Sequence, residues 1–500
     1  MHANLEQCLP TRRQPGIAKW ICAYTLIWLV AFPFAPAFFI DNLQILLPTF
    51  VTIAVFLYFS LRLRLQIQDN IFGEIGFLYL AFAVAYTVFP AYGFAALESL
   101  SSGAGFQALA VLNPDPAQLG LHLWRHVLFI AAVASGYLLL RGRHTPKFSS
   151  FDPLGHAEKP IIRLMFVTIM VSIVVLWCLS APVSEYIDNY TRYDNLSWIG
   201  MRVITICEVL EYGGTFVLLA ILFRNYKRYR LYIWAFVLLR VLQDVLGSSG
   251  ARIGAFTVLI AAALLYHYCV KQVTLIKGLL VTLAMGLVFS AVEIARGPGL
   301  DPSALKDGAL QERGMPAGEL AAVFIPGFHL YAERANGTLP PVEWQVFFND
   351  FISMLPQVRT KWIPMYWYAE NYFPDAVVPP MTMGPIAISA LWGGEISLVV
   401  QGFINGISFA LLMRWFARNG AKWQVMTAYV FCYSTCIMCL KYSIFWHLGP
   451  LVKTILPLVV VVSVLAKNIP GSTKPARVAS GDGLSRGMQG PVAPGNCSGQ

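Results

Sequence analysis

Apolar runs near residues 17–40, 43–60, 71–97, 122–140, 161–181, 201–222, 231–246, 252–268, 273–293, 383–413, 423–440 and 449–466 constrain this chain more than any other feature of its sequence. The hydrocarbon core of a bilayer is about 30 Å thick, so about 20 apolar residues cross it as a helix. The backbone finds no water there, and an α-helix satisfies every N–H and C=O within its own segment. The expected fold is an all-α polytopic membrane protein with about 12 transmembrane helices. The run 383–413 exceeds one crossing and has room for a broken or doubled helix around Gly393–Gly394.

Composition agrees with that class. Hydrophobic residues make up 57% of the chain and charged residues 12%, against about a quarter charged in soluble domains. The first run, Ile17 to Ile40, is long enough to span rather than to be removed as a signal peptide. The nine Cys lie in apolar runs, at their margins or in the terminal tails, so no disulfide framework is expected. With the N-terminus placed in the cytoplasm, the inner connecting segments hold 23 Lys and Arg in 112 residues. The short outer segments hold only Arg192 and Lys441 in 58. Basic residues stay on the cytoplasmic side of a membrane protein, so both termini are expected there. The net charge of +10 is explained by this collar, and no nucleic-acid partner is expected.

The expected organisation is transmembrane helices one to nine over 1–295, a large non-cytoplasmic loop over 296–380, helices ten to twelve over 381–466, and a disordered cytoplasmic tail over 467–500. The loop is too rich in aromatic residues and proline to be a linker. Between Pro341 and Pro356, Trp344, Phe347, Phe348, Phe351, Ile352 and Leu355 recur at helical spacing, with Glu343, Gln345, Asn349 and Asp350 on the other face. The pattern predicts an amphipathic helix that lies in the membrane interface, roofs a cavity or packs on neighbouring loop segments. The aromatic run from Trp362 to Tyr368 suits headgroup depth, and its rings also suit the C–H faces of sugars.

An ionisable side chain within a span is costly and normally faces a partner or an aqueous cavity. Arg240 and Asp244, four residues apart, are expected to form a structural pair, with Glu208, Glu211 and Glu293 as further partners for buried cations. Arg252 follows the flexible turn Gly247-Ser248-Ser249-Gly250-Ala251 and opens a span. A guanidinium and free backbone N–H groups are expected to converge there on an anion such as phosphate. No phosphate-binding loop, zinc-spaced His/Cys cluster or nucleotide-binding strand–turn–helix is present, so no cofactor is expected.

The segment Gly247 to Phe256, the large late loop, and the Gly-punctuated stretch from Met383-Gly384-Pro385 through Gly393-Gly394, Gly402 and Gly406 resemble the O-antigen polymerases of the Wzy type and related oligosaccharide repeat-unit polymerases. The resemblance is architectural, covers roughly Tyr186 to Arg414, and treats the first four spans only as generic membrane helices. It implies a glycosyltransferase of the bacterial inner membrane that joins undecaprenyl-diphosphate-linked oligosaccharides at the periplasmic face and extends the glycan at its reducing end. Such an enzyme serves O-antigen, capsule or exopolysaccharide synthesis and needs no metal or nucleotide. Whether a chain-length regulator is a further partner stays open. Arginines would hold the diphosphate leaving group while a base helps the acceptor hydroxyl attack the anomeric carbon. Arg192, Arg202, Arg252, Arg296, Arg359 and Lys361 are the candidate substrate-binding residues, and His329, Glu208 and Glu211 the candidate bases.

Two other readings fit many of the same features. An O-antigen ligase shares the architecture, the arginines and the loop, and transfers finished glycan to the lipid A core. A polysaccharide or lipid-linked oligosaccharide transporter accounts for the many spans and intramembrane charges, although the chain shows no paired halves.

Overall fold

The computed structural model describes residues 43–67, 70–99, 116–143, 146, 154–179, 197–246, 252–274, 277–278, 317–346, 363–372 and 382–469. Its longer elements there are all helical. In chain order they are α1 (Leu43–Ile67), α2 (Ile75–Ser99), α3 (Pro116–Arg141), α4 (Glu158–Leu179), α5 (Trp198–Glu208), α6 (Gly214–Arg224), α7 (Tyr226–Leu246), α8 (Arg252–Cys269), α9 (Ala317–Asn336), α10 (Pro364–Tyr372), α11 (Pro385–Leu391), α12 (Gly394–Asn419), α13 (Trp423–Thr435), α14 (Met438–Lys441), α15 (Ile444–Pro450) and α16 (Leu456–Asn468). A π-helical turn at Val209–Gly213 joins α5 to α6, and a second at Leu451–Ile455 joins α15 to α16.

Six helical stretches among the described residues are long and apolar enough to cross a membrane: Leu43–Ile67, Pro116–Arg141, Glu158–Leu179, Arg202–Arg224, Gly394–Asn419 and Leu448–Asn468. Ile75–Val88 and Gly254–Cys269 are shorter apolar helices. The fold is that of an all-helical, multi-pass membrane protein. The run expected at 17–40, most of that at 273–293 and nearly all of the tail lie outside the described residues. The outward faces carry the same message. On α4, Leu164, Phe166, Val167, Val171, Val174 and Trp177 all point away from the protein. Such a stripe in water is an aggregation liability, whereas in lipid it meets its own kind.

Because lipid is as apolar as leucine, helices in a membrane associate through close packing more than through expulsion of water. The most extensive helix pair among the described residues, α3 with α12, is built this way. Gly402 and Gly406 lie four apart on α12 and face the backbone of Phe129 and Val133 on α3, while Gly136 of α3 faces the backbone of Phe403. A Cβ on Gly402 would stand 2.9 Å from Phe129 O. Asn405, between the two glycines, donates to Tyr79 Oη on α2 at 3.3 Å and ties a third helix to the seam. Gly406→Leu is therefore expected to force the pair apart, at about 1–3 kcal/mol for an overpacked interior. Thermal unfolding of the detergent-solubilised protein reads this; a melting point equal to wild type would show that the helices do not meet through these glycines.

The over-long run 383–413 is indeed broken. Gly393 and Gly394 have φ of +79° and +62°, a left-handed conformation that costs a side-chain-bearing residue dearly and glycine little. The break leaves α11 as a short helix packed between α9 and α12.

At the end of the bundle where α2 begins and α3 stops, Glu74 is 2% exposed and Arg141 0%. Arg141 donates from Nε to Glu74 Oε2 and from its terminal nitrogen to Oε1, both at 2.6 Å, and Tyr137 Oη donates to Oε2 at 2.6 Å. The same end holds Arg414, whose side chain lies beside Gly142.

Candidate functional site

Of the residues singled out from the sequence, Arg192, Arg296, Arg359 and Lys361 lie outside the described residues. Arg252 opens α8, as expected, though its side chain is outside the described set. Beside that first turn lies the carboxylate of Asp244, whose Oδ2 stands 2.8 Å from where a Cβ on Gly254 would be.

Glu208 and Glu211 are three residues apart, and in a regular helix they would share a face. The π-turn inserts an extra residue between helical registers. Glu208 is left exposed on α5, as is Arg202, while Glu211 is buried. The expected pairing of Arg240 with Asp244 is present at 3.4 Å. The tighter partner of that guanidinium is Glu211 on another helix, and Gln243 bonds to both Arg240 and Glu211. Glu211 is a counter-ion inside the bundle, a poor position for a base that must reach substrate. The amphipathic helix expected from Val342 to Leu355 is described only at its start. There Trp344, expected on the buried stripe, is 64% exposed, and Val346 is the buried residue at 1%.

His329 lies in a built environment. It sits on α9, whose Phe324, Phe328 and Tyr331 recur at helical spacing and pack on His122 of α3, with ring centroids 4.6, 5.6 and 6.5 Å away. Gly327 keeps this face flat, since a Cβ there would press on His122 and Ile386. His329 itself points to α10. Its Nδ1 is 3.0 Å from Tyr368 Oη, its ring lies edge-on to Tyr372 with centroids 4.6 Å apart, and its Nε2 is 3.8 Å from Glu333 Oε1 one turn along α9. The aromatic run expected at headgroup depth is largely turned inward to make this wall, with Met365, Trp367 and Tyr368 buried and Tyr366 exposed. Burial lowers the imidazole's pKa below its ordinary value, and Glu333 opposes this only in part. Burial likewise raises the Tyr368 phenol, with Tyr372 and Glu333 adding to it, and pushes Tyr372 up to about 12. Near neutral pH the site therefore holds a neutral imidazole between protonated phenols.

A second cluster occupies another face of α9. Arg125 of α3, a cation inside an apolar run that the sequence reading passed over, donates from Nε to Glu395 Oε1 at 2.9 Å and lies 3.9 Å over the Tyr331 ring. Tyr331 Oη pairs with Ser389 Oγ at 2.9 Å, and Arg334 donates to the carbonyl of Ala390 at 2.8 Å. These contacts fasten α9 to the broken helix. Deeper in, His122 and His126 pair through their Nε2 atoms at 3.2 Å, and His126 Nδ1 meets Thr87 Oγ1 of α2 at 2.9 Å. Thr87 donates its hydroxyl hydrogen to Ala83 O, so His126 Nδ1 is the donor and His122 gives its Nε2 hydrogen to His126. Among the described residues no three His, Cys, Asp or Glu side chains converge in a way that suits a metal ion. Comparison with protein-family models, with characterised proteins and with solved structures returned no match.

Proposed function

We propose that this chain is a glycosyltransferase of the bacterial inner membrane that polymerises undecaprenyl-diphosphate-linked oligosaccharide repeat units at the periplasmic face, with both termini cytoplasmic. The observation that carries the reading is the cluster of His329, Glu333, Tyr368 and Tyr372 on α9 and α10, fixed by Arg125 and Arg334 to the break between α11 and α12. These side chains gather at the end of α3 and α12 opposite to Arg141 and Arg414. The positive-inside rule assigns the arginine-rich end to the cytoplasm, which turns the cluster outward. Proton acceptors and guanidinium groups on the outward side suit displacement of a lipid diphosphate by a sugar hydroxyl, a reaction that needs a proton acceptor and charge stabilisation at the leaving group. Arg252 remains the first candidate for diphosphate contact, since a fork of N–H donors fits phosphate oxygens as a point charge does not.

The glycan phenotype of a deletion strain tests this. The expected result is accumulation of single lipid-linked repeat units, restored to a ladder by the wild-type gene, not by Arg252→Ala, and only weakly by Arg252→Lys. Polymer made but left unattached would instead indicate a ligase, and units held on the inner leaflet a transporter.

A further inference from the structure

We infer that Glu333, rather than His329, takes the proton of the acceptor hydroxyl, and that His329 is a positioning residue oriented by Tyr368; the assignment rests on the proposed glycosyl transfer. The argument follows from where the hydrogens must lie. Tyr368 Oη and His329 Nδ1 are 3.0 Å apart. A protonated phenol is the better donor of the two, so Nδ1 accepts and the single hydrogen of the neutral ring sits on Nε2. That hydrogen faces Glu333 Oε1 across 3.8 Å, within electrostatic reach though longer than a hydrogen bond. The opposite tautomer would set the Nε2 lone pair against a carboxylate with nothing between them. In the favoured arrangement Nδ1 is occupied by the phenol and Nε2 carries the hydrogen, so the imidazole has no lone pair left for substrate.

Glu333 is differently placed. Its side chain is 25% exposed, at the turn of α9 nearer the helix end, and contact with His329 engages only Oε1. Oε2 is left to receive a hydroxyl. Tyr372, edge-on to His329, and Tyr368 close the other side of the ring, and Arg334 follows Glu333 on the adjoining face with its guanidinium turned to Ala390. In the step itself, the acceptor oxygen bonds to the anomeric carbon as the bond from that carbon to the diphosphate oxygen breaks. The bonding pair leaves with the diphosphate. The hydroxyl proton passes to Glu333 Oε2 and from there to water.

The test measures polymer formation from lipid-linked repeat units by membranes carrying the full-length protein, between pH 4 and pH 8. Glu333→Gln is expected to lose roughly a hundredfold or more at every pH, the scale of a removed general base. His329→Gln, whose amide N–H still faces Glu333, should lose about tenfold, and His329→Ala, which cannot orient the carboxylate, should lose clearly more. The reverse pattern, with Glu333→Gln active and His329→Gln inactive, overturns the assignment and makes His329 the base. Should Glu333→Gln fail to accumulate, the two His329 variants decide alone: activity kept by Gln and lost by Ala supports the assignment, since an amide orients but cannot take a proton, and a Gln variant as inactive as Ala refutes it. Wild-type membranes that form no polymer overturn the proposed function itself, an outcome distinct from either variant pattern.

Discussion

Arg141→Met is expected to destabilise the protein by about 3–5 kcal/mol, the usual effect of leaving a buried charge without its partner. Glu74 sits where α2 begins, fully enclosed, and its two oxygens accept from Arg141 and Tyr137. Methionine fills much of the same volume but supplies no donor, so Glu74 must either stay ionised in a low-dielectric interior or take up a proton. Glu74→Gln should cost less, because an amide oxygen still accepts while the repulsion between its NH₂ and the guanidinium is partly relieved by rotation. The double variant Arg141→Met with Glu74→Leu should recover much of the loss, since a well-packed apolar pair often matches a buried ion pair in stability. Melting curves of the purified protein in detergent, taken for Arg141→Met, Glu74→Leu and their double, measure the coupling directly. Additive losses would show that the two side chains act separately.

The second large effect is expected at Arg240. Arg240→Leu leaves Glu211 and Asp244 on neighbouring helices without the guanidinium that bridges them. The loss should again be about 3–5 kcal/mol, and adding Glu211→Gln should restore part of it by removing one of the two carboxylates. The amount of folded protein surviving a heat step, read by size-exclusion chromatography, reports the order. If Arg240→Leu survives heating as well as wild type, the bridge is incidental to the fold.

Both networks show what a sequence can and cannot disclose. Membrane class was legible because apolar runs need no tertiary context, and the helix break was legible because two adjacent glycines interrupt a run too long for one crossing. Arg240 with Asp244 was legible as an i, i+4 pair, but its closer tie to Glu211 depends on a π-turn that no spacing rule announces. The helix α9 was missed altogether. Pro326 interrupts its apolar period, and its buried face is defined by His122, about two hundred residues earlier in the chain. The aromatic run before Tyr368 looked like a membrane anchor for the same reason, since α9 supplies the wall on which it packs. His329 was identified by residue type alone, and its partners Tyr368 and Glu333 emerge only once α9 and α10 are set side by side.

The interruption at Gly393–Gly394 has an electrostatic consequence. A continuous helix keeps its partial charges at its two far ends, but a broken one places a negative carbonyl end and a positive amide end side by side. The carbonyl end of α11 receives Arg334 at Ala390, and the amide end of α12 carries Glu395, which in turn holds Arg125. The two dipole ends and three ionic side chains form one alternating array. Such an array solvates charge from within the protein, at a level where unbroken helices would surround it only with hydrocarbon.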